Sequence, residues 1–61
     1  MEQYLKRELE RLVPLYEYYL GMAYKTFDYD EEKYNGYSVA MFKVREQMYK
    51  IKEELELLEN A

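Results

Sequence analysis

The sequence predicts an all-α fold, a helical hairpin that dimerises into a four-helix bundle. Three observations carry this expectation. Two stretches repeat apolar residues at alternating steps of four and three, the spacing of a stripe along one helix. A short segment rich in turn-forming residues, Asp28 to Ser38, separates them. And at 61 residues with no cysteine and no histidine, the chain has room for one small domain and lacks the disulfide and zinc staples that small domains use. A chain this short buries only about 60% of its unfolded surface. Self-association is the remaining way to cover an apolar face.

The first helix is expected from about residue 2 to 25. Leu5, Leu9, Leu12, Tyr16, Tyr19 and Ala23 follow steps of 4, 3, 4, 3, 4. With Leu9 as heptad position a, the early flanks are charged (Lys6 at e, Glu8 at g). The later flanks are apolar, with Val13 and Leu20 at e and Leu15 and Met22 at g. Together the g, d, a and e positions span roughly 160°, wider than the ~100° of a single flat contact. Leu12, Val13, Leu15, Tyr16, Tyr19, Leu20 and Met22 are therefore the expected self-association band. Pro14 removes a backbone donor and crowds the carbonyl four residues back. The heptad phase continues through it, so one helix kinked near Pro14 is expected rather than two.

A short helical turn is expected at about 29–34. Asp28 would cap it, Glu31 would complete a capping box, and Asn35-Gly36 would end it in a left-handed conformation. Ser38 would then cap the second long helix, about 38–59. Its stripe of Tyr37, Met41, Val44, Met48, Ile51, Leu55 and Leu58 keeps the same alternating steps. Phe42 and Tyr49 lie seven apart at position b, off that stripe.

Nine tyrosines and two phenylalanines are more rings than so small a core can hide. Tyrosine suits surfaces where proteins meet, because its ring is apolar and its tip polar. Tyr18, Tyr24, Phe42 and Tyr49 are the rings left for a partner. Tyr29, Asp30, Glu31 and Glu32 form an acidic, aromatic contact surface suited to a basic partner. A calcium loop does not fit here, since the sixth and twelfth residues from Asp28 are Lys33 and Val39 instead of glycine and glutamate.

No catalytic constellation is visible. One serine, one threonine and no histidine or cysteine leave nothing to build an activated nucleophile. The only glycines are Gly21 and Gly36, so there is no phosphate-binding loop. No enzyme activity, cofactor or metal is expected. A net charge of −4 opposes nucleic-acid binding by phosphate neutralisation. No run approaches the roughly 18 apolar residues of a membrane span. The MEQYLKRELER start has acids among its bases and no apolar core, unlike a secretory signal. A cytoplasmic protein is expected.

In size and layout the chain resembles the short two-helix phosphatases of sporulating bacteria. Their serine-glutamine-glutamate-leucine-aspartate motif is absent, and the corresponding region reads KVREQMYKIKEEL. The resemblance is one of architecture and implies no activity. The leading expectation is a homodimeric, non-catalytic interaction module that regulates or inhibits a larger protein by occupying its surface. One alternative is an acidic mimic of nucleic-acid phosphates, built from the acids of 28–32 and 53–59, as in small phage-encoded inhibitors such as anti-CRISPR proteins. A further alternative is a weak nucleic-acid binder using tyrosines with Lys43, Arg45, Lys50 and Lys52.

Overall fold

The computed structural model describes residues 1–60. Two helices, α1 (Glu2–Thr26) and α2 (Glu31–Glu59), form an antiparallel hairpin joined by Phe27–Asp30. A rod of 48 × 14 × 11 Å results.

α1 runs unbroken through Pro14. The proline is exposed, on the side away from the seam, as is Glu10, whose carbonyl loses its helical partner. Water can serve that carbonyl, and the heptad stripe on the other side keeps its phase. At the far end the Thr26 hydroxyl donates to the Met22 carbonyl at 2.8 Å and reaches the Ala23 carbonyl at 3.4 Å. The second contact reaches a carbonyl that the last turn leaves open.

The second helix departs from the sequence expectation. The turn at 29–34 and the helix at 38–59 are one element, and α2 starts seven residues earlier than expected. Its N-cap is Asp30, not Asp28 or Ser38. Asp30 is extended (φ −148°, ψ 92°), and its carboxylate accepts the Lys33 N–H at 3.1 Å. Lys33 occupies the third helical position, so there is no capping box. Neither Gly36 nor Asn35 has a positive φ, and the left-handed stop does not form.

Packing explains the difference. Tyr34 and Tyr37 extend the stripe of Met41 backwards in the same alternating steps. Each meets an aromatic ring of the first helix or the turn. Tyr34 packs edge-to-face on Phe27 with centroids 5.2 Å apart, and Tyr37 lies 6.4 Å from Tyr19. Such ring pairs contribute about 0.5–1.5 kcal/mol each beyond area burial. That offsets the ~1 kcal/mol helix penalty of Gly36 and the smaller one of Asn35.

The core is a single seam: Leu5, Leu12 and Ala23 of α1 against Val44 and Leu55 of α2. Leu9, Tyr16, Tyr19, Met41, Met48 and Ile51 are half-buried along it. The last residue of the expected stripe, Leu58, is exposed.

Two helices enclose little. The chain exposes 5133 Å², against about 4,300 Å² for a compact monomer of its mass. Its radius of gyration is 14.2 Å, against about 10.5 Å for a compact domain of this length. It has the shape of half a bundle.

Candidate interaction surfaces

Two long faces flank the seam, and the spacing of residues decides which side chains share each. On one face, Val13 and Leu20 of α1 and Phe27 just beyond it recur every seven residues, with Tyr24 beside Leu20 and Phe27. Facing them on α2 are Tyr34, Ser38 and Met41. Between the helices lies an open groove of about 450 Å³, walled by Leu20, Tyr24, Phe27, Tyr34, Ser38 and Met41. Ser38, expected as a cap, is thus a half-buried interior residue on the groove wall.

Further from the turn the same face continues as a smaller hollow formed by Tyr16, Met48, Tyr49, Arg45 and Lys52. Tyr49 is held between two cations. Arg45 Nε donates to its hydroxyl at 3.2 Å, the Arg45 guanidinium sits 5.3 Å from the ring centroid, and Lys52 Nζ lies 5.9 Å from it. The hydrogen bond that Arg45 donates to Tyr49, followed by their charge interaction, raises the Arg45 pKa above its ordinary value. Arg45 places a positive charge on this face, beside Tyr49. Phe42, seven residues before Tyr49, extends the strip towards the turn.

The opposite face carries Leu15, Met22 and Tyr18. Tyr18 packs on Tyr19 at 5.5 Å, linking this face to the seam. Lys43 and Lys50 lie on this side of α2, while Arg45 and Lys52 line the groove face. At 100° per residue the two basic pairs are about 160° apart around α2. They make no continuous track.

The expected self-association band is therefore divided. Leu12, at 3% exposure, is spent inside the hairpin. Tyr16 and Tyr19 are half-buried seam residues. Val13 and Leu20 belong to the groove face, Leu15 and Met22 to the opposite one. Of the rings left for a partner, Tyr24, Phe42 and Tyr49 share the groove face, and Tyr18 stands apart. All four are exposed.

The third surface is the turn itself. Tyr29 is 90% exposed. It lines a groove of about 510 Å³ with Phe27, Asp28, Asp30, Glu31 and Tyr34. Asp30 has a structural task as the cap, yet its carboxylate still contributes negative charge. Glu31 and Glu32 occupy the first turn of α2, where the helix dipole favours acids. Glu32 is exposed outside the groove lining. The folded segment thus offers a groove lined by two aromatic rings, one projecting ring and a rim of carboxylates.

Phe27 and Tyr34 join this surface although they were not among the residues expected to bind a partner. The signal was present: Phe27 continues the Val13–Leu20 spacing, and Tyr34 stands seven before Met41. Among the described residues no polar or charged side chain is buried, and no three acidic groups converge to hold a metal ion. No helix among the described residues is long and apolar enough to cross a membrane. Compared with protein-family models, curated proteins and solved structures, the chain matches none.

Proposed function

We propose that this chain is a non-catalytic helical interaction module, acting in the cytoplasm, that regulates a larger protein by covering a basic surface on it. The observation that carries the reading is the turn surface, where Tyr29 stands almost fully exposed in a groove that it shares with Phe27, Tyr34 and the three carboxylates of Asp28, Asp30 and Glu31. A lone exposed ring is unremarkable in a small protein. A ring grouped with two others and bordered by carboxylates has the make-up of a contact anchor: aromatic area for affinity, charge for orientation and encounter rate. The absence of buried carboxylates among the described residues favours binding over chemistry, because acid–base catalysts rely on desolvated groups with shifted pKa values.

Phosphate mimicry fits less well. The acids of 28–32 and those of 53–59 flank the two ends of α2, about 40 Å apart at 1.5 Å per residue. Lys43, Arg45, Lys50 and Lys52 lie between them. Phosphates along a nucleic acid follow one another every few ångströms with no such interruption.

The test is capture from extract of the cells that encode the protein, with a photo-crosslinking residue at position 29 and, as control, at Gln3. The reading expects a discrete protein crosslinked from position 29, released by raised salt and lost on combining Tyr29→Ala, Glu31→Gln and Glu32→Gln. Capture unaffected by these substitutions, or no capture at all, would contradict it.

A further inference from the structure

We infer that the groove face is closed by a second copy of this chain, placed by a two-fold axis along the rod so that both turns lie at the same end. This assignment does not rest on the partner reading. It follows from area and from charge.

The area sets the scale. The hairpin exposes 5133 Å², about 800 Å² beyond a compact monomer of its mass. One partner's share of a standard protein interface is also about 800 Å². The groove face is one surface that can supply it. Val13, Leu20 and Tyr24 of α1, Phe27 of the turn, and Phe42 and Tyr49 of α2 supply its apolar side chains.

Charge selects the arrangement. On the margin of α1 stand Glu10 and Glu17, seven apart and exposed. On the groove face of α2, lining the hollow beside Tyr49, stand Arg45 and Lys52, also seven apart and exposed. The ion pairs among the described residues are Lys6–Glu2, Arg11–Glu8 and Lys50–Glu46, so none of these four has an opposite charge within its own chain at bonding distance. Arg45 lies beside Tyr16, hence at the level of Glu17. One heptad further from the turn, Glu10 and Lys52 repeat that level.

An axis along the rod keeps the level of each residue and lays α1 on the partner's α2. Glu17 then meets the partner's Arg45, and Glu10 meets the partner's Lys52, with the reciprocal pairs formed by symmetry. An axis across the rod would instead lay α1 on the partner's α1. Acids would face acids along one seam and cations would face cations along the other. The two arrangements bury similar apolar area, so complementary charge decides between them.

One consequence extends the proposed function. The parallel dimer gathers the two acidic turn surfaces at one end, where a single basic partner surface can engage both.

The test is molar mass by light scattering across a hundredfold dilution, with helicity followed alongside. The wild type is expected to be a dimer that dissociates only on dilution. Glu17→Arg and Arg45→Glu, both at exposed positions, should each raise the dissociation constant about three- to tenfold. Their combination should recover most of the loss. Leu20→Glu should give a monomer, while Leu15→Glu on the opposite face should leave the mass unchanged. A wild-type monomer at all concentrations would overturn the proposal. So would single charge reversals that leave the dimer intact, a combination that fails to recover, or greater sensitivity at Leu15 than at Leu20.

Discussion

Asp30 accepts the backbone N–H of Lys33 at 3.1 Å, and this contact fixes where α2 begins. Asp30→Ala should destabilise the hairpin by about 1 kcal/mol, the usual cost of losing an N-cap. Asp28→Ala and Ser38→Ala should each stay within about 0.5 kcal/mol, because neither side chain caps a helix. Thermal or urea unfolding of the three variants, at matched protein concentration, checks the order.

Gly36 gives the sharpest test of the continuous helix. It has no positive φ, and a Cβ added there would meet nothing within 4 Å. Gly36→Ala should therefore stabilise the protein by about 0.5–1 kcal/mol. A chain that stopped at Asn35-Gly36 in a left-handed turn would be destabilised by the same change. A urea midpoint shift gives the sign directly.

Leu12 is the most buried side chain of the seam. Leu12→Ala should cost about 2–4 kcal/mol through lost burial and the cavity left behind. Leu57→Ala, at a residue 72% exposed, should change stability by less than about 0.5 kcal/mol. Equal effects would mean that the seam is misplaced.

Phe27 and Tyr34 close the turn end edge-to-face. A double-mutant cycle of Phe27→Leu and Tyr34→Leu should give a coupling of about 0.5–1.5 kcal/mol. A coupling near zero would remove the ring pair as the reason that α2 extends back to Glu31.

Glu31→Gln with Glu32→Gln should move two measurements in opposite directions. Partner capture should weaken, since the rim of charge is reduced. The dimer should tighten, because like charges gathered at one end repel less. Light scattering and capture on the same variant separate a failed partner reading from a failed dimer arrangement.

The seam was legible in the sequence because apolar steps of four and three leave little choice of face. Leu5, Leu12, Ala23, Val44 and Leu55 all lie on the predicted stripes. The segment around Asn35-Gly36 misled because local turn chemistry was weighed without the stripe running through it. Tyr34 and Tyr37 were already in phase, and two ring contacts outweigh one glycine. Which apolar flanks share a face was not legible. The positions of Leu20 and Leu15 on α1 are plain from the heptad, but which residues of α2 oppose them depends on how the hairpin closes. That is why one expected band separates into a groove face and its opposite.

The most direct test of the central claim is the distance between turns in the dimer. The chain has no cysteine, so Tyr29→Cys introduces a single site for a spin label. Paired helices sit about 10 Å apart, so the parallel arrangement predicts a label separation within about 30 Å once the label arms are included. A distance near the 48 Å length of the rod would show turns at opposite ends and contradict the arrangement. Absence of any coupling between labels would contradict the dimer itself.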